Sequence, residues 1–113
     1  MNGIKDGHPF SSDESNLFEK FTEEQKQKCR EWVMCFCIPA KHVNRWRTSY
    51  GLKHTLEACT GIYMTNNQFK DLMLEMQFYP EHQNELNWSY YIQEGPLKLA
   101  DRFGACRRAE HVL

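Results

Sequence analysis

Apolar residues recur at helical spacing twice in this chain. Cys29, Trp32, Val33 and Phe36 stand at i, i+3, i+4 and i+7, and Phe69, Leu72, Met73 and Met76 repeat the pattern. Such spacing puts four side chains on one face of a helix. Each set follows a threonine with glutamine three residues on, Thr22 in "TEEQ" and Thr65 in "TNNQ". A hydroxyl and an amide at that distance cap the first turn reciprocally. Pro39 ends the first pattern, because it biases Ile38 away from helix and has no N–H. Helices are thus predicted over 23–37 and 66–77. Between them, Leu52, Leu56 and Cys59 form the face of another helix, capped by Thr48 or Ser49 and stopped by Gly61.

The pattern changes after Pro80. Trp88, Tyr90 and Ile92 alternate with Ser89, Tyr91 and Gln93, the period of a strand. The strand over 87–93 is expected to pair with the extended piece 62–64 as a ribbon. Residues 40–47 read as a connection anchored by Val43 and Trp46. The fold class expected is α+β, mainly α: a three-helix core with a small two-stranded β-ribbon, winged-helix-like. Residues 1–21 read as a flexible acidic N-terminal arm, in which Leu17, Phe18 and Phe21 either dock on the domain or form an early helical turn. Residues 22–95 read as the compact domain. Residues 96–113 read as a C-terminal tail with a helical turn at its start.

Length and composition suit one soluble domain: 113 residues, 41% apolar and 26% charged. The N-terminus lacks the basic-then-apolar order of a signal peptide. The longest apolar run, Trp32 to Ile38, is far too short to span a bilayer. A cytoplasmic setting is expected. Five cysteines, an odd number, are expected as free thiols there.

Net charge is −1, but its distribution is uneven. Residues 41–54 hold Lys41, Arg45, Arg47 and Lys53 with His42 and His54, and no acid. Residues 71–94 hold Asp71, Glu75, Glu81, Glu85 and Glu94, and no lysine or arginine. Lys41, Arg45, Arg47 and Lys53, interleaved with Trp46 and Tyr50, have the composition of a phosphate-binding surface. On a winged-helix plan, helix 66–77 would be the recognition helix, presenting Asn66, Asn67, Gln68, Lys70, Asp71 and Glu75. The acidic residues instead lie among aromatics, the composition of a protein-binding hot spot or of a nucleic-acid mimic.

Catalytic and cofactor signatures are missing. No P-loop, dinucleotide fingerprint, G-x-S-x-G or H-E-x-x-H occurs, so a non-enzymatic protein without cofactor is expected. Cys29, Cys35, Cys37 and His42 offer zinc-type donors, but Cys35 and Cys37 have only one residue between them and no second knuckle follows. No metal site is expected, and a zinc-stabilised adaptor stays as a second alternative.

The segment "TSYGLKHTLEACTGIYMTNNQFKDLMLEMQFYP", with "NELNWSYYI" after it, resembles a group of small proteins of phages and mobile elements. The resemblance is carried by Ser49 to His54, Tyr63 to Asn66, Phe69 to Met73 and Asn87 to Tyr90, under half the chain. It implies a regulator of the element's own genes or an inhibitor of host defence. The leading expectation is an anti-CRISPR-like inhibitor that binds a Cas nuclease–guide complex and blocks target DNA engagement. Asp71, Glu75, Glu81 and Glu85 would act as charge mimics, with Tyr79 and Trp88 as anchors. The alternative is a winged-helix DNA-binding transcriptional regulator using Lys41, Arg45, Arg47 and Lys53.

Overall fold

In the computed structural model, which describes residues 17–112, four α-helices surround one core: α1 (Glu23–Phe36), α2 (Ser49–Thr60), α3 (Asn66–Glu75) and α4 (Gly95–Val112). The first 16 residues of the expected N-terminal arm lie outside the described residues. At its end, Leu17–Lys20 makes a 3-10 turn. Phe18 there is fully buried, with its ring against Phe21.

Both capping boxes form. Thr22 Oγ1 accepts from Gln25 N–H while Gln25 Oε1 accepts from Thr22 N–H, and Thr65 and Gln68 do the same. Gly61 ends α2 in the left-handed region, φ 79°, where a glycine meets no Cβ penalty. The α3 stop is less expected. Gln77 takes φ 67°, Gln77 N–H donates to Leu74 C=O and Phe78 N–H to Met73 C=O. These two bonds are the Schellman closure, made here by a residue with a side chain. Helix α3 therefore ends at Glu75, short of the expected 77.

Trp32, Val33, Leu52, Leu56, Phe69, Leu72 and Met73 are buried as their spacing requires, and Phe36 packs half-buried beside them. The residues read as a C-terminal tail are helical as far as Val112. Helix α4 lies along α2, burying Leu97 and Ala100. The approach is close enough that a Cβ on Gly104 would stand 2.7 Å from Ala58 Cβ.

The winged-helix expectation is overturned. Among the described residues there are four helices and no sheet; the only β-type contacts are two isolated bridges, Pro39–Ile92 and Pro80–Tyr90. The alternation over 87–93 is real, since Trp88, Tyr90 and Ile92 are buried while Tyr91 and Gln93 are exposed. Its partner is not 62–64, however. Ser49, Asn44 and Ala40 donate their N–H groups to Trp88, Tyr90 and Tyr91 C=O, and Gln93 N–H donates to Ile38 C=O. On the other side Glu81 N–H donates to Ser89 C=O. The segment is thus threaded between two loops. Its backbone polar groups find partners singly, without a ladder.

The recognition-helix expectation fails with it. Lys70 is fully buried, its ammonium 4.6 Å from the centroid of the Trp88 ring. Asn66 Nδ2 donates to Leu86 C=O and Asn87 Oδ1. These α3 side chains face the loop 78–94, so they hold the fold together.

Candidate functional site

The basic and acidic stretches meet. Loop 37–48 carries Asn44, Arg45 and Arg47, and loop 76–94 carries Glu81 and Glu94. Arg45 donates to both Glu81 carboxylate oxygens, at 2.7 and 2.8 Å. Arg47 Nε and Nη2 donate to Glu94, and Nη1 and Nη2 to Asp101 on α4. Asn44, buried, donates from Nδ2 to Glu94 Oε1 and accepts from Trp46 N–H. Planar guanidinium-to-carboxylate forks of this kind set geometry as well as charge. The hydrogen bonds from Arg47 and Asn44 hold the Glu94 carboxyl below its usual range, against a smaller opposing effect of burial. Glu81 is lowered likewise by Arg45.

This locking consumes most of the charge that seemed available for binding. Of the four expected nucleic-acid contacts, Arg45 and Arg47 are paired and Lys53 is buried; Lys41 is exposed. Of the expected partner contacts, Glu81 is paired, Glu75 accepts from Arg30 Nε, and Asp71 accepts from Phe18 N–H. Glu85 is exposed and Tyr79 is 59% exposed. Trp88 is not an anchor for a partner: it is fully buried, and its Nε1–H donates to Gln83 C=O. Ser49 fixes it further, since Trp88 N–H donates to Ser49 Oγ.

Trp46 reverses the expectation in the other direction. Expected as a core anchor, it is 83% exposed. Its N–H is held by Asn44 and its neighbours are Glu94 and Lys98. Tyr91 is not among the expected contacts, yet its place opposite buried Trp88, Tyr90 and Ile92 in the alternation already puts it outside. Trp46, Tyr79 and Tyr91 therefore stand exposed on or beside one ion-paired loop layer.

A second group lies on α2 and α4. Lys53 Nζ sits 5.1 Å from the Tyr50 ring centroid and 5.3 Å from that of Tyr63. Both rings are more than half exposed. The His54 ring stands edge-on to Tyr50 at 4.7 Å. His54, Tyr63, Arg107 and Arg108 line a cleft of about 560 Å³ together with Glu57, Ala58 and Gly61.

The cysteines do not converge. Cys29 and Cys37 are buried, and burial pushes their thiols up to about 11 and about 12. Cys35 is exposed on α1. Among the described residues no three histidine, cysteine or acidic side chains come together as metal ligands. No helix among them is long and apolar enough to cross a membrane.

No protein-family model, curated protein or solved structure matches this chain.

Proposed function

We propose that this chain works by binding a protein partner, without catalysis, through the exposed aromatics of the paired loops. The observation that carries the reading is Trp46, 83% exposed on a segment whose backbone and neighbouring charges are fixed. Exposing so large an apolar side chain has no benefit to folding, and Trp, Tyr and Arg are the residues that dominate binding hot spots. Its loop is ordered by Asn44, Arg47 and Glu94, so little conformational entropy is lost on contact. Charge mimicry has less support than aromatic contact, because Glu75 and Glu81 already hold arginines of the same chain.

The phage-type resemblance makes a nuclease–guide complex the first partner to test, as an anti-CRISPR-like inhibitor. Immobilised parent and Trp46→Ala/Tyr91→Ala should be offered purified nuclease–guide complexes and, separately, free duplex DNA. Retention of the complex by the parent, with loss in the double variant, is the expected outcome. Retention of duplex DNA that disappears in Arg45→Glu/Arg47→Glu, while the complex is ignored, would replace this reading by the DNA-binding regulator.

A further inference from the structure

The cleft between α2 and α4 is unused by the loop layer, and its chemistry differs. The Tyr50 and Tyr63 rings both lie against the Lys53 ammonium. Lys53 is buried, so its ammonium holds the two exposed rings from below the surface. It lies 3.4 Å from His54 Nε2, to which it donates when that nitrogen is unprotonated. His54 Nδ1 then faces Glu57 at 3.6 Å. Arg107 reaches over the end of α2, with Nη1 toward Ala58 C=O, and a Cβ on Gly61 would collide with its Nη2. Arg108 completes the rim. Arg107 and Arg108 outnumber the one carboxylate lining this cleft, Glu57; Asp101 nearby is committed to Arg47 and Thr55.

From this placement we infer that the α2–α4 cleft, with the adjoining Tyr50 ring, binds single-stranded nucleic acid, with bases on Tyr50 and Tyr63 and backbone phosphates on Arg107 and Arg108. Exposed aromatic faces interleaved with cations are what an unpaired strand requires, because each base has a π-face and each linkage a charge. A duplex hides its bases and would leave the two rings without a role. An inorganic anion would use the cations only. The cleft volume falls in the range of about 300–1,000 Å³ usual for ligand sites. This inference is independent of the protein partner proposed for the loop layer, since it shares no residue with it.

The test is fluorescence anisotropy of end-labelled oligothymidylate and oligouridylate, roughly 15 nucleotides long to span one site of this class, with the full chain. Saturable binding that weakens with salt is expected. Tyr50→Ala/Tyr63→Ala should weaken it by about fivefold or more, and Tyr50→Phe/Tyr63→Phe should keep it, because stacking uses the ring. Arg107→Ala/Arg108→Ala should lower the salt slope by about 0.7 for each phosphate no longer neutralised. Equal affinity for duplex DNA of the same length would overturn the inference. So would heparin binding as tight as the oligonucleotide and unchanged by loss of the rings, or stronger binding of a phosphotyrosine peptide. Absence of saturable binding at protein concentrations up to about 100 µM would end it. If Tyr50→Ala/Tyr63→Ala lowers the melting temperature, the phenylalanine pair and the arginine pair carry the decision.

Discussion

The helical layer and the loop layer of this molecule are built by different means. In α1, α2 and α3 the apolar core side chains follow helical spacing, and in α1 and α3 the capping groups lie three apart, whereas Thr48 at the start of α2 makes no side-chain cap. The loops 37–48 and 76–94 are joined by residues far apart in the chain, Arg45 with Glu81 at 36 positions and Arg47 with Glu94 at 47. Local structure is written in local spacing; a paired loop layer is written in chemistry at a distance. Yet the loops do not merely decorate the helices. They contribute Trp88, Tyr90 and Ile92 to the same core.

The sharpest way to break that comparison is to empty the loop side of the core. Trp88→Ala should cost about 3–5 kcal/mol, as much as a large truncation in the helices. Urea denaturation of Trp88→Ala beside Leu72→Ala measures it. A Trp88 variant that melts with the parent would make the loop layer a passive cover.

The next effect is electrostatic. Arg47→Ala leaves Glu94 and Asp101 without the guanidinium and should cost about 1.5–3 kcal/mol near pH 7. Its pH dependence has a definite sign. The Glu94 carboxyl is lowered in the folded state from its ordinary 4.5, chiefly by Arg47. Its contribution is therefore complete above 4.5 and is lost as pH falls through the lower folded value. The stability gap between parent and Arg47→Ala should narrow in that acid range. A gap that stays constant down to acid unfolding would show that Arg47 acts by packing alone.

What the sequence disclosed follows the same division. The three helices, both capping boxes, the Gly61 stop and the outward or inward sense of 88–93 were legible, because each needs only residues within one or two turns. The pairing of 87–93 was not. Alternation tells which face a strand-like segment buries and says nothing of its partner, and here single hydrogen bonds to 38–49 replace a ladder. The basic and acidic stretches were legible as stretches, but each suggested a surface only because the other was read separately. Lys70 misled for a related reason: a cation on an amphipathic helix is usually solvated, and its contact with the Trp88 ring joins residues 18 positions apart. Helix α4 was hidden by its weak amphipathic pattern, since Gly104 and Ala100 contact α2 through their smallness.

A smaller effect tests the seam between the layers. Gln77 closes α3 at φ 67°, a conformation costly for a residue with a Cβ. Gln77→Gly removes that cost and adds some freedom to the unfolded chain, for a net gain of about 0.5–1 kcal/mol. Differential scanning calorimetry should show a higher melting temperature. A lower one would mean that the Gln77 side chain contributes contacts exceeding the backbone cost.

The smallest expected change in stability is the most informative about function. Read from sequence, Trp46 anchors the connection, and its removal would then cost as much as that of Trp88. In the structure it is 83% exposed, its N–H donates to Asn44 Oδ1, and the side chains of Asn44 and Arg47 are tied to Glu94. Trp46→Ala should accordingly change unfolding free energy by no more than about 0.5 kcal/mol. The same substitution removes the largest exposed ring of the loop layer, so partner retention should fall by about tenfold or more if Trp46 is a hot spot. The two measurements on one variant separate the roles. Loss of stability with binding intact would return Trp46 to the core, and loss of neither would leave the loop layer without its proposed role.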